Sequence, residues 1–300
     1  MLICLWTPRY SMIVRPHTLF QDALTNRYAI GAFNTSNLET TQAIIWGADS
    51  RRSPVIVQTS EGALEYAGLK VLSQIIRMLA EEEAVPVVLH LDHGKSLAAV
   101  QRCIEVGYTS VMIDASTLPL AENTSLTREV VDYAHGRGVW VEAELGTILG
   151  QEGMRGLAGG LTPDELLTRP EDVAAFVEET GVDALAVSVG TIHGAFTGQE
   201  YIRFELLAAI ERAAPGLPLV IHGASGIAAV HLRRVAQTNV CKINVDTELR
   251  IAFEQAVRAY LGVSHEKLDP RELLGSAREA VQAVVEEKAQ LFGSSGRAAM

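Results

Sequence analysis

Three of the eight histidines in this chain stand at the ends of short apolar runs, where predicted strands would open onto one face. They are His93, His193 and His222, and the last two share the sequence Ile-His-Gly-Ala. Three neutral imidazoles with one position left open form a catalytic zinc-type site. Their spacing alone is weak evidence, and a hydrogen-bonded core histidine is the competing interpretation for each. The glycine after each repeated histidine indicates close approach of a ligand or of backbone.

Carboxylates lie on the same predicted strands, at positions where apolar residues normally fill an interior. They are Asp92, Asp114, Glu142 and Glu144. Burying so many acids without a cation is costly, so their presence independently indicates a bound metal. Asp92 directly precedes a candidate ligand and can face the same cavity without coordinating, or can orient a histidine.

Two further strand ends predict phosphate cradles, because free N–H groups and hydroxyls at helix N-termini bind phosphate in barrel enzymes. They are Gly223-Ala224-Ser225-Gly226 and Asn244-Val245-Asp246-Thr247. Helix capping by Ser225 and Thr247 is the alternative interpretation, and the two are compatible.

A Gly-rich polar segment, Thr147–Thr162, is predicted as a long mobile loop that covers the site. It contains Glu152, whose default interpretation is a solvated loop acid. Only closure of the loop would bring this acid into the chemistry.

A scaffold must bring these residues together. Eight short runs rich in β-branched residues have the length expected of strands that are buried on both faces. The runs are Ala29–Asn34, Pro54–Ser60, Pro86–His93, Ser110–Ser116, Val139–Gly146, Ala184–Thr191, Pro218–Ser225 and Cys241–Thr247. Between them lie amphipathic helical stretches, among them Leu38–Arg51, Leu69–Glu83, Leu126–Arg137, Glu171–Thr180 and Phe204–Ala213. This alternation predicts an α/β fold, a closed (β/α)8 TIM barrel with chemistry at the C-terminal strand ends. An open doubly wound sheet is disfavoured because no GxGxxG follows the first strand.

The domain prediction is a single barrel with two appendages. Residues 1–11 are expected to be a non-core N-terminal extension, residues 12–262 the catalytic barrel, and residues 263–300 a C-terminal helical arm that is continuous with it. A subunit contact is the preferred role for this arm, as in a homodimer or homotetramer.

Composition limits the partners. A net charge of −11 argues against general nucleic-acid binding through a basic face. No apolar run approaches the ~20 residues that span a bilayer, so no membrane partner is expected. The three cysteines are an odd number without a CxxC spacing, which favours a reduced, cytoplasmic compartment.

Seven motifs together resemble the class II, metal-dependent ketose-bisphosphate aldolases, in the fructose- and tagatose-bisphosphate branch. They are GAFN (31–34), LHLDHG (89–94), SVMIDAS (110–116), VEAELG (141–146), GTIHGAF (190–196), IHGASG (221–226) and KINVDTELR (242–250). They occur in family order and cover the chain from about Ile13 to the C-terminal helix. The wording of VEAELG and SVMIDAS resembles the tagatose branch.

The resemblance implies reversible cleavage of a ketose 1,6-bisphosphate, tagatose or fructose, to dihydroxyacetone phosphate and glyceraldehyde 3-phosphate through a zinc-stabilised enediolate. By the same resemblance, one catalytic zinc per subunit is held by His93, His193 and His222. Asp92 is then the acid/base at the C4 hydroxyl, and Glu152 the loop acid at the carbon that becomes nucleophilic. The segments matching those that hold the phosphorylated substrate are Gly194, Gly223–Ser225 and Asn244–Thr247. Asp114 and Glu144 match acids near a second position for a divalent or monovalent cation.

Two alternatives stay open at this point. A Schiff-base barrel aldolase would use Lys242, which is the only lysine on a predicted strand. A catalytically silent, phosphate-binding barrel could instead serve as an accessory subunit in carbohydrate metabolism.

Overall fold

A computed structural model of the chain describes residues 12–158, 164–197, 202–263 and 269–298, without the side chains of residues 151–158 and 195–197. Eight of its strands are parallel and close into a barrel in the order β1-β10-β9-β7-β5-β4-β3-β2. In chain order the strands are β1 Ile30–Asn34, β2 Val55–Ser60, β3 Val87–Gly94, β4 Ser110–Ile113, β5 Trp140–Leu145, β6 Gly150–Ala158, β7 Ala184–Val187, β8 His193–Thr197, β9 Leu219–Ile221 and β10 Val240–Val245. The predicted TIM barrel is confirmed.

Helices surround the barrel and alternate with its strands. They are α1 His17–Asn26, α2 Leu38–Ser50, α3 Glu61–Ala67, α4 Leu69–Glu82, α5 Leu97–Glu105, α6 Leu120–His135, α7 Pro170–Thr180, α8 Phe204–Ala213, α9 Ala229–Val235, α10 Thr247–Val263 and α11 Pro270–Leu291. The side chains of Asn37, Ser60 and Ser96 cap α2, α3 and α5 by accepting backbone N–H groups. The predicted and observed bounds of α8 agree, whereas α6 begins six residues before its predicted start at Leu126.

Alternate residues of each strand face the barrel interior, and the interior changes character along its axis. On β3 the inward positions are Val88, then His90, then Asp92, so an apolar lower layer gives way to a polar upper one. Helix α1 packs Leu19 and Phe20 against the apolar lower layer. The C-terminal strand ends therefore carry a buried polar cluster supported from below by a packed core.

The prediction of a loop over Thr147–Thr162 is wrong in part, because it contains strand β6. This strand pairs in parallel with β8, and Gly150 lies opposite His193. A Gly-rich polar segment has no period-two apolar pattern, so the sequence carries no strand signal here. Four predicted strands also run two to four residues too far, because the residues at their C-terminal ends leave the ladder at the barrel mouth; they are the strands beginning at Ser110, Ala184, Pro218 and Cys241.

The C-terminal helix α11 packs along α2 and α10 of its own chain. Its residues Ala277, Val281 and Val285 are buried, and the carbonyl oxygen of Phe292 accepts the N–H of Ala29 at 3.0 Å, next to β1. The boundary near residue 262 and the subunit contact remain predictions, and residues 1–11 lie outside the described residues. Among the residues that are described, no helix has both the length and the apolar character needed to cross a membrane.

Candidate metal centre and active site

The barrel brings the three candidate histidines together at its C-terminal mouth. His93 lies at the end of β3, His193 is the first residue of β8, and His222 directly follows β9. Their ring centroids are 4.7 to 5.7 Å apart, and one nitrogen of each ring lies within 4.8 Å of the others. Three imidazoles that are distant in sequence thus share one small volume.

Buried carboxylates bind the outer nitrogens of two of these rings. His93 Nδ1 lies 2.8 Å from Asp114 Oδ2, and His222 Nε2 lies 2.8 Å from Glu142 Oε1. Burial alone would raise the pKa of both acids, but the neighbouring cations and hydrogen bonds prevail and hold each pKa well below its usual range. An ionised carboxylate only accepts, so each imidazole donates its N–H at this outer nitrogen.

The inner nitrogens of the same rings face one another. His93 Nε2 and His222 Nδ1 are 3.0 Å apart. Burial lowers the pKa of His222 and of His193, so these rings are neutral at neutral pH. If both rings carry their proton only on the outer nitrogen, His93 and His222 direct two lone pairs at each other, and a proton or a metal ion between the two nitrogens would relieve the repulsion. Neutral imidazoles oriented by outer carboxylates are the donor set that suits zinc, so these residues fit the ion.

The backbone of β3 is distorted where it presents His93. His93 has a φ of +47°, an uncommon value for a residue with a side chain, and the pairing with β4 shifts between Leu91 and Gly94. A Cβ on Gly94 would lie 2.7 Å from the carbonyl oxygen of Met112. The glycine therefore permits the close approach that turns His93 into the site, and local strain of this kind is common at functional positions.

Asp92 lies inside the barrel with both carboxylate oxygens occupied. Its Oδ2 accepts from Asn34 Nδ2 at 2.8 Å, and its Oδ1 accepts from Asn244 Nδ2 at 3.3 Å. Burial opposes ionisation, but the positive charges of a protonated His93 and of Lys242, together with the hydrogen bond from Asn34, lower the pKa of Asp92 to about 2. Asp92 is therefore an oriented carboxylate at neutral pH.

Two carboxamides without a predicted role support Asp92: Asn34 donates to it, and Gln58 Nε2 donates to Asn34 Oδ1 at 2.6 Å. Both are buried on the interior face, on β1 and β2. The available signal was a carboxamide at an inward strand position, where an apolar residue is expected.

A second group of ligand atoms shares His93 and adds Asp114 and Glu144. Glu144 Oε1 accepts from the N–H of Ile148 at 3.2 Å, and Oε2 is buried with no hydrogen-bond partner among the described residues. Burial and the nearby charge of Asp114 raise the pKa of Glu144 to about 7. A cation placed against this group would satisfy the open oxygen.

The loop after β9 carries the first predicted phosphate cradle. A Cβ on Gly223, which has a φ of +64°, would lie 2.4 Å from the carbonyl oxygen of Ile192, so the two strand-end loops touch through a glycine. Gly194 also has a positive φ, +103°. Ala224 and Ser225 are buried, and Ser225 does not cap α9, because that helix follows Ala228.

The second predicted cradle continues from β10 into α10, and all four of its residues are buried. Asn244 contacts Asp92, and its Nδ2 also lies 3.3 Å from His222 Nδ1. Asp246 accepts from Arg250 Nε at 2.7 and 2.8 Å, while burial raises the pKa of its carboxyl. Val245 faces the outer core, and Thr247 is the first residue of α10.

Glu152 lies on β6, and its side chain is outside the described residues. The backbone register still places it two residues after Gly150, the partner of His193. Its role as the loop acid therefore stays a prediction.

Lys242 is buried and forms an ion pair with Glu142, with Nζ 2.7 Å from Oε2. A Schiff-base mechanism needs a lysine free to act as a nucleophile. This ammonium is instead engaged beneath the histidines, which argues against the alternative based on Lys242.

The chain is similar to known proteins over nearly its whole length. The family model described as "Fructose-bisphosphate aldolase class-II" matches residues 14–297. The fructose-bisphosphate aldolase of Geobacillus stearothermophilus is 42% identical over 290 residues, 96% of this chain and 99% of that protein. The Streptococcus pneumoniae fructose-bisphosphate aldolase is 44% identical over 299 residues, 95% of this chain and 99% of its own. Among solved structures, the YdjI aldolase from Escherichia coli K12 has a TM-score of 0.85 at 33% identity, covering 96% of this chain and all of that one.

Proposed function

Since this chain belongs to the class-II fructose-bisphosphate aldolase family and is an aldehyde-lyase, we propose that it reversibly cleaves a ketose 1,6-bisphosphate between C3 and C4. The products are dihydroxyacetone phosphate and glyceraldehyde 3-phosphate. Fructose 1,6-bisphosphate is the first substrate to test, because the curated relatives above carry that substrate in their names. Tagatose 1,6-bisphosphate, which differs only at C4, is the second.

The observation that carries this proposal is the approach of His93 Nε2 and His222 Nδ1 to 3.0 Å, while Asp114 and Glu142 bind the outer nitrogens of the same two rings. With His193 these two rings form a three-imidazole donor set, and we assign one zinc ion per subunit to it. When bound, the ion supplies a Lewis acid beside the ketose carbonyl, where cleavage leaves negative charge. Asp114 and Glu144 are the candidates for a second cation position.

Asp92 is the proposed acid/base at the oxygen of the C4 hydroxyl. As an ionised carboxylate it can accept the hydroxyl proton while the C3–C4 bond breaks and return it in the condensation direction. Asn34 and Asn244 hold its two oxygens, so the carboxylate keeps one orientation within the barrel.

The remaining candidate residues are assigned to binding the substrate and to transferring the proton at carbon. Gly194, Gly223–Ser225 and Asn244–Thr247 line the strand ends next to the histidines, which supports a phosphate site made of backbone N–H groups and hydroxyls. Glu152 is assigned to the proton at the carbon that becomes nucleophilic, and the pairing of β6 with β8 supports this assignment.

A silent accessory barrel is less compatible with the site, because Asp92 and all three imidazoles are in place. Assembly as a homodimer or homotetramer and a cytoplasmic location stay predictions from sequence.

The test is an assay of the purified, zinc-loaded protein on both epimers, followed by chelation and readdition of zinc or cobalt. We expect cleavage of at least one epimer, loss of activity on chelation and recovery with either metal. The variant His193→Ala should lose both metal and activity, whereas His135→Ala, at an exposed position, should keep both. Cleavage at the full rate by metal-free protein would refute the zinc mechanism, and tight binding without turnover would favour the accessory role.

A further inference from the structure

A buried hydrogen-bonded chain runs beneath the histidine cluster, and its members Lys242, His90 and Ser110 have no role in the function proposed above. Lys242 Nζ donates to Glu142 Oε2 at 2.7 Å and lies 3.4 Å from His90 Nε2. Glu142 Oε1 accepts from His222 Nε2 at 2.8 Å, and His90 Nδ1 lies 2.7 Å from Ser110 Oγ. Glu142 and Lys242 are each only 1% exposed.

The donors and acceptors in this chain fix one proton arrangement. The ammonium of Lys242 only donates, so Glu142 Oε2 and His90 Nε2 are acceptors, and His90 carries its proton on Nδ1 toward Ser110. The second oxygen of the carboxylate can also only accept, so His222 carries its proton on Nε2. The bare nitrogen of His222 is then Nδ1, which is the atom that faces His93 Nε2 at 3.0 Å.

We propose that Glu142, held by Lys242, is a positioning residue that fixes His222 in the tautomer with a bare Nδ1 and so sets the zinc affinity of the site. The inference rests on the proposed three-histidine zinc site. Outer carboxylates orient ligating histidines and increase their basicity, and their loss typically weakens metal binding by about 10–100-fold. Lys242 balances the charge of the carboxylate, which would otherwise be buried alone.

The substitution Glu142→Gln tests the tautomer directly, because an amide has one acceptor and one donor end. Lys242 still needs an acceptor, so the amide oxygen turns toward it and the NH₂ group turns toward His222 Nε2. His222 must then accept at Nε2 and carry its proton on Nδ1, where it donates to His93 Nε2. In the metal-free variant this hydrogen bond occupies both inner nitrogens, so zinc can bind only after the bond is broken and the proton on His222 returns to Nε2.

The double variant Glu142→Gln/Lys242→Met removes the constraint on the amide. Methionine keeps much of the lysine stem and has no donor, so the amide oxygen is free to accept from His222 Nε2. The NH₂ group then occupies the position of Oε2, which lies 3.7 Å from the acceptor His90 Nε2. The original tautomer of His222 is restored without a buried charge.

The experiment measures zinc affinity by competition with a chromophoric chelator, and the His222 tautomer from the ring ¹⁵N shifts of the metal-free protein. We expect Glu142→Gln to bind zinc about 100-fold more weakly with its proton on Nδ1, and the double variant to return to within about 10-fold of wild type with its proton on Nε2. Asp183→Asn is the matched control, because it changes a carboxylate 2.8 Å from His135 Nε2 at the opposite end of the barrel, and should leave zinc affinity unchanged.

Equal zinc affinities in folded Glu142→Gln and wild type, or no recovery in the folded double variant, would overturn the inference. If Glu142→Gln does not fold, the double variant alone decides: a 100-fold loss of affinity with the proton on Nδ1 would overturn it. A wild-type protein that binds no zinc would instead refute the metal site itself, so the two proposals fail in different ways.

Discussion

Replacing Asp92 with asparagine tests the proposed acid/base residue while changing the shape of the site least. Both carboxylate oxygens accept from amide groups, those of Asn34 and Asn244. An asparagine has one oxygen and one NH₂ group, so either Asn34 or Asn244 would lose the acceptor for its own NH₂ group. A buried donor without an acceptor costs about 1–3 kcal/mol, and we expect the free energy of unfolding to fall by that amount.

The effect on catalysis should be larger than the effect on stability. Loss of a positioned general acid–base group lowers a rate by about 10²–10⁴-fold, which is about 2.7–5.4 kcal/mol in the activation barrier. The zinc ligands are unchanged, so zinc affinity should stay within about 10-fold of wild type. Because Asp92 is assigned to the C4 hydroxyl and not to the C–H proton, exchange of the dihydroxyacetone phosphate C–H hydrogen with solvent should persist.

The assay compares three quantities in Asp92→Asn: the cleavage rate, the hydrogen exchange rate and zinc content. Asp183→Asn is the matched control, because Asp183 also accepts two hydrogen bonds, from His135 Nε2 and from the N–H of Val141, each at 2.8 Å. It should lose stability but keep the cleavage rate. Cleavage by Asp92→Asn within 10-fold of wild type, or equal losses of cleavage and exchange, would refute the assigned role.

Three further outcomes follow from the geometry. Gly223→Ala should lower the free energy of unfolding, measured in urea, by about 2–5 kcal/mol, because the residue has a positive φ and the new Cβ would overlap a backbone carbonyl. A decrease of less than about 1 kcal/mol would contradict the close approach of the two loops. Asp114→Asn should weaken zinc binding by about 10–100-fold, because the charged acceptor that orients His93 is lost, and unchanged zinc affinity in a chelator competition would contradict this. Burial raises the pKa of the Cys103 and Cys241 thiols to about 12, so both should resist alkylation of the native protein at pH 8. Peptide mapping should find both thiols unmodified, and rapid labelling would contradict their burial.

The barrel could be predicted because its sequence pattern repeats eight times along the chain. Few folds other than a closed barrel accommodate eight apolar runs that alternate with amphipathic stretches, and the strand ends of a barrel bring distant residues to one mouth. His93 and His222 are 129 residues apart yet meet at 3.0 Å. The sequence could therefore predict which histidines converge.

The sequence could not predict two kinds of feature: the orientation of buried side chains, and strand pairing that leaves no hydrophobic pattern. Strand β6 lacks apolar alternation and is held by backbone pairing with β8, so its sequence predicts a loop. The partners of Glu142 could not be assigned either, because which ring nitrogen of His222 meets Glu142 is set by rotamers at the barrel centre. The carboxamide of Gln58 stands at an inward strand position, which indicates that it is buried, but only its hydrogen bond to Asn34 shows which residue it holds.

We propose that three imidazoles hold one zinc ion, and the most direct test is to measure zinc stoichiometry and affinity in the purified protein. We predict about one tightly bound zinc per chain, and an affinity at least about 100-fold weaker after alanine replacement of His93, His193 or His222, with His135→Ala unchanged. A wild-type chain that binds no zinc, or three folded alanine variants that bind it as tightly as wild type, would contradict the three-histidine zinc site.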